Sequence, residues 1–310
     1  MNIVARRRLW FGISLAMIIP GMISLALWGL KPGIDFRGGQ EMELKGPQNQ
    51  SAVRTLFISS GAQDVTVTTT GSSGLLVRYR VEDKDSKKVE SALKSSLAKG
   101  NYTQVSFSSV GPSVSADITR NALISILLAS TAILLYIAFA FRNAPPPVSS
   151  WNFGISAIIA MVHDALILIG LFSILGHFFG VQIDSLFVTA VLTTIGFSVH
   201  DTIVVFDRVR ENARRIRNDT MRNIIDISMT ETLSRTLITS GTTLITVIAL
   251  FWKGGPMIHG FSTALLIGIG FGTYSSIYVA SAWAMYMKMN REDLMPKVVE
   301  KEGIEERYEP

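Results

Sequence analysis

Six long apolar runs, at residues 9–30, 118–141, 151–175, 185–206, 236–251 and 261–287, constrain this chain more than any other feature. In hydrocarbon no backbone N–H or C=O can be left without a partner, so runs of this kind must become membrane helices. The first covers about 33 Å at 1.5 Å per residue, enough to cross a bilayer. Trp10 and Trp28 lie near its ends, where interfacial aromatic residues belong. It is too long for the apolar part of a signal peptide, no small-residue cleavage site follows, and Lys31-Pro32 closes it. We read it as an anchor that stays. Hydrophobic residues make up 48% of the 310 and the mean hydropathy is +0.35, which excludes an ordinary soluble protein.

The net charge of +5 could point to nucleic acid, but the basic residues flank the apolar runs and form no patch interleaved with aromatics. They read as orienting charges, so the expected contact is the lipid membrane, not nucleic acid. Arg6-Arg7-Arg8, Arg142, the cluster from Arg208 to Arg222, and Lys288 with Arg291 fall on one side if there are six spans. By the positive-inside rule that side, with both termini, is the cytoplasm. Cysteine is absent, so no disulfide, thiol nucleophile or cysteine metal site exists.

Four regions follow: residues 1–32, an N-terminal cytoplasmic segment and first span; 33–117, an extracytoplasmic α+β domain; 118–287, spans two to six; and 288–310, a charged cytoplasmic tail with no assigned function. Within the second, strands are expected at 40–45, 64–70, 75–81 and 102–108, and helices at 50–60 and 83–97. Gly71-Ser-Ser-Gly74 is the hairpin turn. The order βαββαβ is that of a ferredoxin-like domain, which hosts many unrelated activities. Ala144-Pro-Pro-Pro147 is a stiff linker between spans two and three, and a long basic connection joins spans four and five. The fold class expected is therefore an α-helical polytopic membrane protein of six transmembrane helices, with a ferredoxin-like domain between helices one and two.

Ionisable residues inside the spans carry the chemistry. Span four holds His200-Asp201, and Thr194, Ser198, Asp201 and Arg208 recur at steps of 4, 3 and 7 on one face. A charge in hydrocarbon costs about 2.5–3.5 kcal/mol on insertion scales, so it faces a partner, a cavity or a pathway. Such a stripe serves either helix association or ion coupling. Arg235 opens span five, followed by Thr239, Thr242 and Thr246 as a hydroxyl stripe. It either marks the cytoplasmic boundary or reaches inward toward Asp201. His163-Asp164 lies near the middle of span three, as structural polar bonding or as an intramembrane relay. Adjacent residues on a helix diverge, so neither pair is expected to hold a metal. In span six, Ala264, Gly268, Gly272, Ser276, Ala280 and Ala284 form a small-residue ridge, suited to packing within the chain or to a partner.

Several motifs carry a resemblance. They are Gly33-Ile-Asp-Phe-Arg-Gly-Gly39, Val110-Gly-Pro112, and Asp201-Thr-Ile-Val-Val-Phe-Asp-Arg-Val-Arg-Glu-Asn212. Further on come Arg235-Thr-Leu-Ile-Thr-Ser-Gly-Thr-Thr243, Gly254-Gly-Pro256 and Ser275-Ser-Ile-Tyr-Val-Ala-Ser281. With these the chain resembles, over nearly its whole length, the SecF family of membrane subunits that work with SecD beside the bacterial protein translocase. The resemblance implies a resistance-nodulation-division type of fold in the bacterial cytoplasmic (inner) membrane, with SecD, the SecYEG translocon and unfolded preproteins as partners. It implies that proton flow, or sodium flow in some members, drives late translocation, with no cofactor besides the coupling ion and no covalent catalysis. Asp201 and Arg235 match the family's coupling pair; His200, Ser198 and Thr239 complete the expected ion-coupling set. Gly33, Asp35, Gly38 and Gly39 match the family's outward motif. The chain departs at His200, where asparagine is usual, at Ser115, where glycine is common, and at Pro145–Pro147, which replace an aromatic-acidic-arginine ending. Two other readings stay open: a half-transporter exporting lipids or small molecules, and a passive tethering subunit.

Overall fold

The structure, a computed structural model, describes residues 6–70, 74–81, 86–140, 150–216 and 219–280. In chain order the elements are α1 (Arg7–Trp28), α2 (Ile34–Arg37), β1 (Gly39–Lys45), α3 (Gln50–Ser59), β2 (Gln63–Thr70), β3 (Gly74–Arg80), α4 (Ser86–Lys99) and β4 (Thr103–Val110). Then come α5 (Pro112–Ala140), α6 (Ser150–Phe179), α7 (Ser185–Arg215), α8 (Met221–Lys253) and α9 (Pro256–Tyr274), which runs on as a π turn (Ser275–Val279). Among the described residues six helices are long and apolar enough to cross a membrane: α1 and α5 to α9. The hairpin turn at 71–73, the start of the second expected domain helix at 83–85, the Pro145–Pro147 linker, Ala284 and the 288–310 tail lie outside the described residues.

The four strands form one antiparallel sheet in the order β2-β3-β1-β4, which is the ferredoxin-like arrangement. Alternation explains its two faces. Met42 and Leu44 of β1, with Leu75, Val77 and Tyr79 of β3, turn to one side and meet Val53 and Phe57 of α3 and Val89, Leu93 and Leu97 of α4. Asn49 caps α3, its side chain accepting from Ala52 N–H at 3.0 Å. Glu41 points the other way and pairs with Arg78 across the strands.

One expectation is corrected at the bundle end farther from the sheet. The long basic connection is mostly helix, because α7 continues to Arg215 and α8 begins at Met221. Ion pairs one turn apart, Arg208–Glu211 and Asp207–Arg210, each at 2.6 Å, support the extension of α7. Arg208 and Arg215 also reach Glu231 of α8, at 2.6 and 3.5 Å, so acidic partners clasp the two helix ends.

The motif at 33–39 contains the short helix α2 and ties the sheet to the bundle. Gly33 N–H donates to Ile183 O at 2.7 Å, and a Cβ at Gly33 would meet that oxygen at 3.0 Å. The Asp35 carboxylate accepts from Ser185 N–H at 2.8 Å and from the Ser185 hydroxyl, so it sits on the N-terminus of α7, where negative charge is favoured. Gly38 and Gly39, at φ 73° and 134°, then turn the chain directly into β1.

In the bundle α7 is central, packed by α5, α6, α8 and α9, while α1 lies against α6. The small-residue ridge of α9 faces α7. A Cβ on Gly268 would fall 2.3 Å from Thr194 Oγ1, one on Gly272 would fall 3.3 Å from Ser198 Cβ, and Ser276 Oγ donates to Ser198 O at 2.9 Å. Through Ala280 the ridge therefore serves packing within the chain. α1 crosses α6 at a second close approach, where a Cβ on Gly21 would lie 2.9 Å from Gly170 Cα. One turn on, Ser24 Oγ is 2.8 Å from Ser173 Oγ. Gly21→Ala should lower thermal stability by about 1–3 kcal/mol, the scale of overpacking. Gly12→Ala, where nothing lies within 4 Å, should not. Thermal midpoints of the purified full-length protein check the pair, and equal midpoints would contradict the packing described.

Candidate functional site

Asp201 is buried on α7, 3% exposed, inside a membrane-length helix. Its Oδ2 accepts from Ser240 Oγ of α8 at 3.2 Å. Its Oδ1 lies 3.5 Å from His200 Nδ1, and the His200 side chain is 58% exposed because adjacent helix residues point about 100° apart. Arg235 lies on the same helix as Ser240, five residues earlier, or about 7.5 Å along the axis. It is exposed, and it forms no ion pair with Asp201 among the described residues. The hydroxyl stripe beside it also faces outward. Thr239 donates to Arg235 O at 2.9 Å, Thr242 to Thr239 O at 2.9 Å and Thr246 to Thr242 O at 3.1 Å, so these hydroxyls serve their own helix. Ser240, one position past Thr239, is the hydroxyl that reaches Asp201. Sequence reasoning missed it because a one-residue shift turns a helix by about 100°.

Ser198 goes elsewhere. Its hydroxyl donates to Oδ2 of Asp164 on α6, as does Ser275 Oγ, at 2.7 Å, from the first position of the π turn. His163 Nδ1 lies 2.9 Å from the other carboxylate oxygen, and its Nε2 is 2.8 Å from Ser14 Oγ of α1. With Asp164 ionised, His163 Nδ1 is the donor and the carboxylate gathers three donors. Three spans thus meet at one buried carboxyl, 2% exposed, and His163 links it to a fourth, α1. Ser275 Oγ has an alternative acceptor in Gly272 O at 3.1 Å. Beyond it, Thr202 Oγ1 donates to Ser276 Oγ at 3.1 Å, and Ser276 donates to the Ser198 carbonyl. That string ends on backbone, so among the described residues no unbroken chain of hydroxyls joins Asp164 to Asp201.

The stripe Thr194, Ser198, Asp201 and Arg208 therefore divides among four neighbours: Gly268, Asp164, Ser240 and Glu231. Gly33, Asp35, Gly38 and Gly39 stand apart from it, at the tie between α7 and the sheet. Among the described residues no three His, Cys, Asp or Glu side chains come together as a metal site would require.

Residues 88–290 match the family described as "Protein export membrane protein SecD/SecF, C-terminal". The chain is 45% identical over 296 residues to the protein translocase subunit SecF of Thermobaculum terrenum, covering 91% of this chain and 92% of that one. It is 42% identical over 304 residues to the protein translocase subunit SecF of Vibrio alginolyticus, covering 95% and 92%. Its structure is similar to the crystal structure of SecDF, a translocon-associated membrane protein from Thermus thermophilus, with a TM-score of 0.81 and 31% identity. That match covers 94% of this chain but only 39% of the SecDF chain, so this chain spans about two fifths of it.

The two buried carboxyls should respond differently to an amide. Asp164→Asn faces three donors with one acceptor oxygen and an added NH₂, and should cost about 1–3 kcal/mol, the scale of a buried group left without a partner. Asp201→Asn still offers its oxygen to Ser240 and should cost less than about 1 kcal/mol. Thermal unfolding of the two variants checks the order, and the reverse order would refute this account of the network.

Proposed function

Because the chain belongs to the SecD/SecF family of protein-export membrane proteins, we propose that it acts with SecD as an accessory to the Sec translocase, driven by an ion gradient. Asp201 carries this reading: a buried carboxyl inside a span, with one hydroxyl donor and an arginine within about two helical turns on an exposed face. SecD would cover that face and complete the surroundings of the carboxyl. The coupling ion is a proton, with sodium as the alternative. Proton loading neutralises Asp201, and release restores an anion that Arg235 stabilises once the face is covered. His200, mostly exposed and 3.5 Å from the carboxylate, is placed to pass the proton onward. The His163–Asp164 pair is a relay of charge state: neutralising Asp164 would free the Ser275 hydroxyl for Gly272 O and loosen the π turn. Unfolded preproteins are met through the α+β domain on the outer side, and the SecYEG translocon is the further partner.

A unit charge moving through 100 mV releases about 2.3 kcal/mol, enough for a few ions to bias a domain movement strongly. The test is preprotein translocation at matched expression, with and without a gradient. Asp201→Asn should assemble with SecD and lose the gradient-dependent part. Arg235→Lys should keep some of it, since the charge is retained while the planar fork is lost. Asp201→Asn/Arg235→Gln should be hardly worse than the more damaging single change, because the two act as one unit. Simple additivity, or full gradient response in Asp201→Asn, would overturn the coupling. Orientation has its own test in this cysteine-free chain. Ser95→Cys on α4 should react with an impermeant thiol reagent from outside and Asp219→Cys should not; the reverse pattern would overturn the topology.

A further inference from the structure

The Ser14 hydroxyl departs from the usual pattern of a helical serine. A serine or threonine inside a helix often donates to the carbonyl four residues back, as Thr119, Thr131 and Thr273 do here. For Ser14 that acceptor is Trp10 O, and it is taken by the Tyr274 hydroxyl of α9 at 2.6 Å. Ser14, 4% exposed, turns instead to His163 Nε2 at 2.8 Å, and its oxygen lies 3.4 Å from the Tyr274 oxygen. His163 Nδ1 in turn meets Asp164 Oδ1 at 2.9 Å. Hydrogen bonds therefore run without a gap from Tyr274 through Ser14 and His163 to the buried carboxyl.

Every group on this path can both give and take a proton. The path climbs toward the Arg7 end of α1: Ser14 lies about 10 Å along the axis from Arg7, and Trp10, whose carbonyl holds Tyr274, about 4.5 Å. Tyr274 is half-buried, its ring edge-on to Trp10, and Trp10 stacks on Tyr278 at 4.1 Å, so aromatic rings flank the outer end of the path. Facing Asp164 are His163 on its own helix, Ser198 on α7 and Ser275 on the π turn. Among the described residues no lysine or arginine pairs with it. Adjacent residues of α9 thus serve the two ends of the path: Ser275 holds Asp164, and Tyr274 holds the Ser14 end.

We propose that Asp164 exchanges its proton with water at the Arg7 end of the bundle through His163, Ser14 and Tyr274. For uptake, Tyr274 swings its hydrogen from Trp10 O to Ser14 Oγ and takes another from water. Ser14 gives its own hydrogen to His163 Nε2, and His163 gives its Nδ1 hydrogen to Asp164. The carboxylate becomes an acid, the imidazole changes tautomer, and nothing is oxidised or reduced. Release runs in reverse. This rests on the reading of the His163–Asp164 pair as a relay, and it supplies the relay's entry.

The test is infrared spectroscopy of the full chain in complex with SecD, following the carboxyl C=O band that disappears in Asp164→Asn. In the wild type this band should shift on transfer to heavy water. Tyr274→Phe and Ser14→Ala should each slow the shift at least tenfold. Thr273→Val, which removes a hydroxyl that serves Ile269 O, should leave the rate unchanged. A fluorinated tyrosine in place of Tyr274 keeps the ring and the hydroxyl but is more acidic, so the pH profile of the exchange should move downward. That measurement decides the question should Tyr274→Phe or Ser14→Ala fail to fold, and an unmoved profile would overturn the proposal. Wild-type rates in Tyr274→Phe and Ser14→Ala, or equal slowing in Thr273→Val, would overturn the route and leave the relay standing. A spectrum with no band lost in Asp164→Asn at any pH would overturn both, since Asp164 would then hold no proton to exchange.

Discussion

Lipid gives two apolar helices no reason to prefer each other over an acyl chain, so this bundle depends on how closely its backbones can approach. The contact on which most else rests is the notch at Gly268, filled by Thr194 of α7. It fixes the rotation of α7 about its own axis. With that rotation set, Ser198 one turn along turns to Asp164, and Asp201 turns to α8. A side chain at Gly268 would push α7 away and disturb both carboxyl environments together. The Gly21–Gly170 crossing does the same for α1 and brings Ser14 within reach of His163.

Much of this was legible in the residues, and the reasons for the rest are specific. Apolar runs and the period-two alternation of the domain gave six spans and βαββαβ, because burial imposes those periods directly. The ridge of α9 was visible, but its partner was not, since small residues permit an approach without naming who approaches. Helix ends were misjudged where charge replaced apolarity: residues 207–215 and 221–235 are helical through propensity and ion pairs, which a search for apolar runs does not see. The polar stripe of α7 was read as one surface, yet its members meet different helices, since each neighbour covers only part of the circumference. Ser14 carried no signal beyond being a hydroxyl in an apolar span, and Ser240 and Ser275 lay in family motifs with no role of their own. Their roles depend on pairings between spans far apart in the chain.

The two buried carboxyls differ in kind. Asp164 is enclosed by its own chain, with partners from α7 and the π turn of α9 and its own neighbour His163, which in turn meets Ser14 of α1. Asp201 has one hydroxyl donor, and beside it lie an exposed histidine and an exposed arginine. One carboxyl is thus held by groups from several helices, and the other lies next to a charged, exposed flank. The tie at Asp35 joins that flank to the α+β domain, since α7 carries Asp201 near its middle and meets Asp35 at its N-terminus.

The π turn gives α9 a freedom that its ridge alone would lack. Residues four apart on an α-helix drift by about 40° per step, so a ridge at that spacing winds steadily away from a straight neighbour. A wide turn at Ser275–Val279 winds the opposite way and brings Ser276 and Ala280 back toward the interior. The notch at Gly268 and the π turn thus set two different windings along one span, and the residue where the winding changes is the one whose hydroxyl donates to Asp164.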